Sequence, residues 1–237
     1  MKKINTYLWQ ITAKTNLHVG NEDISSCGII DKAVQRDALT KLPCINASSL
    51  KGALNEFCCG LEDLDDKVRI QLFGSDKKNN NGVSAKGQAI FYVAQLLYLP
   101  VQTDNLFDYA TCQGVIDIMN SRRKMFELNE TPEFELNGRE VQTMDSKEFS
   151  ELCNNDNLPI IARNALGVNT NLWYEQVVPS ETIFYAIIQE PNSALKDCMN
   201  GKIIQIGANA TIGYGYCEFS CIAESTKSSS DGNQGKK

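Results

Sequence analysis

The order of the predicted elements restricts the fold of this chain more than any single motif does. Residues 5–15 alternate between apolar and polar side chains, which is typical of a half-buried strand. Residues 48–60 place apolar side chains at i, i+3, i+4, i+7 and i+8, which predicts a helix with Ser48 as N-cap and Gly60 at its end. Near the C-terminus, strand patterns again precede and follow a short helix.

The predicted elements follow a ferredoxin-like plan, in which each half of the chain places one helix between strands. We therefore expect an α+β fold of the ferredoxin-like (RRM-like) class, in a single domain that spans residues 1–222. The aromatic motif that is usual in RNA-recognition sheets is absent from the sequence. Residues 223–237 are low in complexity and have little to bury, so we expect a disordered tail there.

Residues 127–158 differ in composition from the rest of the predicted domain. They hold nine acidic residues and two basic ones, Arg139 and Lys147. This stretch predicts an insertion, partly hairpin and partly helix, that projects from the core. Its acidity disfavours contact with nucleic-acid phosphates except through apolar residues at its tip.

The overall composition restricts the class of protein. With 42% hydrophobic and 22% charged residues, and no apolar run near the roughly 18 residues of a membrane span, we expect a cytoplasmic protein with no membrane partner. The nine cysteines form no CxxC pair, which favours free buried thiols over zinc sites or a disulfide framework. The net charge of −6 disfavours a free-standing nucleic-acid-binding protein but is compatible with a local basic groove.

Residues 17–54 contain two candidate catalytic groups. Asp31, in GIIDKAVQR, is a candidate for binding a divalent cation or for accepting a proton from a hydroxyl group. His18, the only histidine, is a candidate for donating a proton to a leaving oxygen. Because no second histidine exists, an acid–base pair of two histidines is excluded.

Three further features carry candidate binding groups. At a predicted helix start, the motif SSLKG combines Ser48, Ser49 and Lys51 into a candidate anion site. The loop at 207–215, GANATIGYG, has three glycines that would let its backbone approach phosphates. Glu175, in LWYEQVVP, is a candidate metal ligand or a solvent-facing strand residue.

Each feature, taken alone, also has an ordinary structural explanation. Asp31 can cap a loop, and His18 can serve packing or hydrogen bonding. SSLKG can be an N-cap followed by an exposed lysine, and the glycine-rich loop can be a tight connection between strands. The separate motifs leave these alternatives open.

The motifs in their order resemble a known family. The series comprises LHVG, GIIDKAVQRD, LPCINASSLKGAL, LFG, LLYLPVQT, YATC, LWYEQVVPSETIFY and IQIGANATIGYG. Over most of residues 5–222 it resembles the RAMP superfamily, and more narrowly the repeating backbone subunit of type III-B (Cmr) CRISPR effector complexes. The resemblance implies a modified ferredoxin-like palm with an inserted thumb. It also implies copies of the chain stacked in a filament on a CRISPR RNA, beside other subunits of the complex.

The resemblance implies an endoribonuclease that cuts complementary target RNA beside each guide nucleotide that a thumb displaces. Asp31 matches the essential aspartate of the family, and His18 and Glu175 match its histidine and its acid, so these three are the expected catalytic residues. Displacement of one nucleotide would bring the RNA 2′-OH in line with the phosphorus, and cleavage would leave a 2′,3′-cyclic phosphate and a 5′-hydroxyl. We expect Mg²⁺, or another divalent cation, at Asp31.

The resemblance also assigns RNA contacts, because SSLKG matches the guide-backbone contact and the glycine-rich loop is the hallmark of the superfamily. Two departures from the family pattern are Ala208, where a second glycine is usual, and Val177, where some relatives have tyrosine. The alternatives are a structural subunit that coats the guide RNA without cutting, and a RAMP-type guide-processing nuclease that acts alone. The expected RNA-binding residues are Arg36, Ser48, Ser49, Lys51, Gly207, Asn209, Gly213 and Gly215.

Overall fold

The computed structural model describes residues 4–20, 30–75, 84–128, 130–165 and 171–226. Its helices are α1 (Ala47–Cys59), α2 (Asp66–Phe73), α3 (Gln113–Met125), α4 (Ser146–Leu152) and α5 (Ala194–Met199), with a 3₁₀ turn at Ala210–Ile212. Its strands are β1 (Asn5–Ala13), β2 (Cys44–Ile45), β3 (Gly74–Ser75), β4 (Ala85–Lys86), β5 (Ile90–Phe91), β6 (Ala94–Thr103), β7 (Leu106–Cys112), β8 (Val141–Met144), β9 (Ile160–Ala165), β10 (Asn171–Gln176), β11 (Ile183–Glu190), β12 (Lys202–Gln205) and β13 (Tyr216–Thr226).

One large sheet organises this mixed α/β fold. Its strand order is β12-β13-β1-β11-β6-β7-β8, with β2 beside β6 and β5 beside β11. Neighbouring strands are antiparallel except β7 and β8, which are parallel. Two pairs of strands, β9–β10 and β3–β4, lie outside this sheet.

The first strand forms where the alternating pattern predicts it, but it is more deeply buried than expected. All nine residues of β1 are buried, including the polar Gln10 at 3% exposure. Gln10 donates a 2.9 Å hydrogen bond to the backbone oxygen of Glu135, and the Glu135 N–H donates back over 2.8 Å. The segment around Glu135 therefore covers the polar side of β1, and the prediction of a half-buried strand was wrong about exposure.

Helix α1 confirms the predicted apolar stripe and its end, but not its start. Leu50, Leu54 and Cys58 are buried, and Gly60 is the C-cap. The N-cap is Asn46, so the prediction that Ser48 caps the helix was wrong. Asn46 is extended, with φ −58° and ψ 147°, and the chain turns helical directly after it.

Residues 127–158 do not follow the predicted hairpin. Their strand, β8, joins the edge of the large sheet in parallel with β7. Phe149, Cys153 and Leu158, in and after α4, are buried in the main core. The prediction rested on the many acidic residues of this segment and gave no weight to its few apolar ones. Burial of these apolar side chains packs this part of the segment against the core, so it does not project.

The last strand extends further than expected. Glu224 pairs with Tyr7 and Thr226 pairs with Asn5, so residues 223–226 continue β13 and do not belong to a disordered tail. The rest of the predicted tail, 227–237, lies outside the described residues.

The eight cysteines in the described parts of the chain are free thiols, as predicted. Five of them are buried, whereas Cys59 is exposed and Cys198 and Cys221 are partly exposed. Cys27 lies outside the described residues. Of the helices described, none is long and apolar enough to cross a membrane.

Candidate active site

Asp31 lies on an exposed segment that pairs with β10. Its backbone N–H donates a 3.0 Å hydrogen bond to the oxygen of Tyr174, and the Tyr174 N–H donates to Oδ2 of Asp31 over 2.7 Å. The Gln176 N–H donates to the oxygen of Lys32 over 2.9 Å, which extends the pairing. Asp31 is therefore exposed to solvent while one of its carboxylate oxygens is anchored to backbone.

Glu175, the next residue on β10, is buried in a cluster of polar groups. Its Oε2 accepts a 2.9 Å hydrogen bond from Nδ2 of Asn209 and lies 3.5 Å from Nη1 of Arg163. Its Oε1 lies 3.4 Å from Nε2 of His18. The Arg163 guanidinium also stacks over the ring of Tyr214, with 5.5 Å from Cζ to the ring centroid. We call His18, Arg163, Glu175 and Asn209 the Glu175 cluster.

The contact of His18 with a backbone oxygen shows which ring nitrogen donates a hydrogen bond. Its Nδ1 lies 2.7 Å from the backbone oxygen of Gln176, which can only accept, so Nδ1 carries a proton. Its Nε2 lies 3.4 Å from Oε1 of the Glu175 carboxylate. Leu17 and Val178 exchange two backbone hydrogen bonds, and this pairing fixes the backbone next to His18.

At two glycines of the glycine-rich loop, the loop backbone lies directly against other backbone atoms of the chain. Gly207 has φ +80°, and a Cβ there would overlap the backbone oxygen of His18. The N–H of Ala208 donates a 2.9 Å hydrogen bond to that same oxygen. Gly215 has φ +78°, and a Cβ there would overlap the backbone oxygen of Ile206. Both glycines are thus explained by packing of the loop against its own chain.

The other two predicted loop residues differ from this pair. Gly213 has φ +82°, and a Cβ there would meet no atom of the described residues within 4 Å. Asn209 has φ +68°, a left-handed conformation that asparagine tolerates, and this conformation accompanies its contact with Glu175.

The side chain of Gln35 supports the first turn of α1. Its Oε1 accepts a 2.8 Å hydrogen bond from the N–H of Asn46, and its Nε2 donates to Oγ of Ser49 over 3.0 Å. The Ser49 hydroxyl therefore has an internal partner. Gln35 was not among the predicted site residues.

Ser48 and Ser49 face different grooves. Ser48 and Lys51 line a groove of about 640 Å³, together with Lys86 and the segment that leads into β5. Ser49 lines a second groove of about 390 Å³ with Gly52. The three side chains of SSLKG therefore do not converge on one point, as a single anion site would require.

Arg36 is used mainly within the chain. Its Nη1 donates 2.8 Å hydrogen bonds to the backbone oxygens of Lys41 and Cys153, and its Nε donates to Oδ1 of Asn155 over 2.9 Å. Burial lowers the pKa of this guanidinium. Its geometry fits a residue that ties the segment after α4 to the loop after Asp31 better than it fits an RNA contact.

The fold brings together three predicted residues that are distant in sequence: His18, Glu175 and Asn209. Glu175 is 1% exposed and His18 is 3% exposed, which does not fit direct contact with a substrate. Arg163 and Tyr214 were missed. Tyr214 lies inside the glycine-rich motif, but no local pattern marks Arg163 as a partner for Glu175.

The described residues include no group of three or more His, Cys, Asp or Glu side chains that could hold a metal ion. Among the described residues, Asp31 is therefore a single carboxylate and not part of a preformed all-protein cage. Mg²⁺ sites of the kind that use one or two carboxylates with substrate phosphates are compatible with such a residue.

The sequence profile of the RAMP superfamily matches residues 10–218. The chain belongs to the RAMP superfamily. It is 24% identical to the CRISPR system Cmr endoribonuclease Cmr4 of Pyrococcus furiosus over 289 aligned positions, covering 90% of this chain and 94% of that protein.

Solved structures have the same fold. A chain from type III-B Cmr-β bound to cognate target RNA superposes with a TM-score of 0.70 at 20% identity, covering 91% of this chain and 96% of the other. Oligomeric Cmr4 from Pyrococcus furiosus superposes with a TM-score of 0.67 at 19% identity, covering 95% and 99%.

Proposed function

We propose that this chain is a backbone subunit of a type III-B CRISPR effector complex, which binds the guide RNA and cleaves the paired target RNA. The similarity to Cmr4, a Cmr endoribonuclease, supports this because it covers nearly the full length of both proteins. The solved relatives include an oligomer and a complex with cognate target RNA, which supports stacking of copies and RNA partners.

We interpret four antiparallel strands, in the order β13-β1-β11-β6, as a ferredoxin-like palm. Helix α1 lies between β1 and β6 in the chain, and α5 lies between β11 and β13, as that plan requires. Because β8 and α4 pack onto the core, residues 127–158 are a poor candidate for a projecting thumb. The β9–β10 pair lies outside the large sheet and is the better candidate.

The observation that carries the proposed activity is the exposed, anchored carboxylate of Asp31. The Tyr174 N–H fixes one oxygen, and the side chain remains accessible to RNA. In the proposed reaction a target 2′-OH attacks the adjacent phosphorus, the bond from phosphorus to the 5′-oxygen breaks, and the 5′-oxygen receives a proton. Asp31 would accept the 2′-OH proton or hold a cation beside it.

A divalent cation fits this site in a limited way. Asp31 would hold it together with oxygens of the RNA, because no further acidic side chains form a cluster with it in the described parts of the chain. When bound, the ion would supply positive charge next to the reacting phosphate. The protein would contribute the fixed orientation of the Asp31 carboxylate.

We propose that the guide backbone follows the groove lined by Ser48, Lys51 and Lys86. Two lysines and the serine hydroxyl line this groove at the start of α1, and the N-terminus of a helix favours phosphate. The net charge of −6 leaves the remaining surface unattractive to unpaired RNA.

The proposal is tested with Asp31→Ala in the fully assembled complex. Guide retention and target affinity should persist, while cutting of a matched target in Mg²⁺ should stop. Undiminished cutting would remove Asp31 from the chemistry.

A second candidate is a subunit that coats the guide RNA without cutting. The burial of His18 and Glu175 favours it, since two of the three expected catalytic groups do not reach the surface. A wild-type complex that binds a matched target but leaves it intact in Mg²⁺ would select this alternative.

A further inference from the structure

The buried carboxylate of Glu175 joins three separate parts of the chain. Asn209 contacts it from the glycine-rich loop, Arg163 from β9, and His18 from the segment after β1. Its two neighbours on β10 form hydrogen bonds with two further residues. Tyr174 binds Asp31, and the backbone oxygen of Gln176 accepts from His18.

The cluster has the charge balance that a buried carboxylate requires. An ionised group at 1% exposure is costly unless cations and hydrogen-bond donors face it. Arg163 supplies one cation, with 19% of its side chain exposed, and Asn209 supplies a neutral donor. Nε2 of His18 lies 3.4 Å from Oε1, and that buried oxygen has no hydrogen-bond partner among the described residues.

The same cluster contacts the strand that carries the Asp31 anchor. Successive residues of a strand point to opposite sides, so Glu175 points into the cluster while its neighbours hold their partners through backbone. Loss of Glu175 would leave Arg163 and His18 without their shared carboxylate. Strand β10 would then lose its side-chain attachment to the glycine-rich loop, and Tyr174 would be held only by the β9 ladder and by its bonds to Asp31 and Lys32.

We propose that Glu175 is a positioning residue. Clamped by His18, Arg163 and Asn209, it fixes β10 so that the Tyr174 N–H orients the Asp31 carboxylate. The inference rests on the proposed role of Asp31 in cleavage. Neither Glu175 nor His18 touches RNA in this account, so both act through Asp31.

Amide hydrogen exchange of the free chain, followed by NMR, tests the clamp without any cleavage. The reporters are the N–H of Tyr174, bonded to Asp31, and the N–H of Ala208, bonded to His18. Glu175→Gln keeps the size of the side chain and removes its charge. We expect exchange at both reporters to rise about tenfold or more relative to amides of β6, which reports local opening without global unfolding.

Asn209→Asp provides a second variant of the cluster. Aspartate tolerates the same left-handed backbone, but it replaces the donor at 2.9 Å from Glu175 with a like charge. We expect the same rise at both reporters. Glu190→Gln is the matched control, because Glu190 is equally buried and lies outside the cluster, and it should leave both reporters unchanged.

Cleavage by the assembled complex separates positioning from direct chemistry. Glu175→Gln should lower the single-turnover rate at saturating target while target affinity stays at the wild-type value. Loss of cleavage with wild-type protection of Tyr174 would overturn the inference in favour of direct catalysis by Glu175. Unchanged reporters in both cluster variants would overturn it as well. Wild-type cutting by Asp31→Ala would instead refute the proposed function, while the exchange result would stand on its own.

Discussion

Asp31 and Tyr174 hold each other through two reciprocal hydrogen bonds. The Tyr174 N–H donates to Oδ2 of Asp31 over 2.7 Å, and the Asp31 N–H donates to the Tyr174 backbone oxygen over 3.0 Å. A hydrogen bond to an ionised carboxylate is short and strong, so the pair fixes the side chain as well as the backbone. An exposed carboxylate in a loop would otherwise sample several rotamers. Here its orientation depends on the position of β10.

Gly207 and Gly213 should respond differently to alanine. Both have positive φ, near +80°, but only at Gly207 would a Cβ overlap the backbone oxygen of His18. Gly207→Ala should lower the free energy of unfolding by about 2–4 kcal/mol, through strain and steric overlap together. Gly213→Ala should cost only about 1–2 kcal/mol, the penalty of the left-handed conformation itself. Urea denaturation of the two variants makes the comparison, and equal losses would contradict the structural role of Gly207.

No described residue requires a glycine at position 52. It lies within α1, and a Cβ there would meet nothing within 4 Å. Gly52→Ala should therefore raise the free energy of unfolding by about 0.5–1 kcal/mol, because alanine is the better helix former. Gly52 lines the groove of Ser49 and not the proposed guide groove of Ser48, Lys51 and Lys86, so guide binding should stay unchanged. Denaturation and a guide-binding titration measure the two effects, and a destabilised variant would show that an unrecognised contact requires glycine.

Arg36→Lys distinguishes an internal role from an RNA contact. Lysine keeps the positive charge but lacks the fork of donors that reaches the oxygens of Cys153 and Asn155. We expect a loss of about 1–3 kcal/mol in the free energy of unfolding, because buried carbonyl groups lose their donors. Guide affinity, measured on the variant that remains folded, should change little. A stable variant with weakened guide binding would restore Arg36 to the RNA-binding surface.

Glu190 should make stability depend on pH. Burial raises the pKa of this carboxyl from its ordinary 4.5 to about 7, although the N–H groups of Leu195 and Lys196 donate to its oxygens. The folded state therefore holds a proton that the unfolded state releases between pH 4.5 and 7. The stabilisation from this group is complete below about 4.5 and is lost as the pH rises through about 7, with a slope of at most about 1.4 kcal/mol per pH unit.

The pH dependence of Glu190 is isolated by subtraction. The free energies of unfolding of wild type and Glu190→Gln are measured from pH 4.5 to 8, and their difference removes the other titrating groups. Wild type should lose stability relative to the variant as the pH rises. A constant difference across this range would mean that the Glu190 carboxyl titrates alike in the folded and unfolded chain.

The local periodicity of the sequence predicted the helices and strands well, but it predicted the burial of their polar side chains poorly. Leu50, Leu54 and Cys58 recur with the helical period, and they are the buried residues of α1. The alternation in β1 also predicted a strand, but it contained no information on the distant segment at Glu135 that covers Gln10. Burial of a polar side chain depends on such long-range contacts, which no short window of sequence encodes.

The candidate site could be predicted only in part, for the same reason. Asp31, His18 and Glu175 were candidates from their motifs, but only the resemblance to a family favoured a catalytic role over the ordinary structural one. The contact between Glu175 and Asn209 joins residues that are 34 positions apart, and the one with His18 crosses most of the chain. Arg163 gave no signal at all, since its partner becomes apparent only once β9 pairs with β10.

The most direct measurement for the central claim is single-turnover cleavage of a matched target by the assembled complex with Asp31→Asn. Asparagine keeps an oxygen to accept the Tyr174 N–H but removes the charge that binds a cation or a proton. We predict wild-type guide retention and target affinity, with a cleavage rate lowered by about 100-fold or more. A variant that cuts at the wild-type rate, with the same 2′,3′-cyclic phosphate and 5′-hydroxyl ends, would contradict the assignment of the chemistry to Asp31.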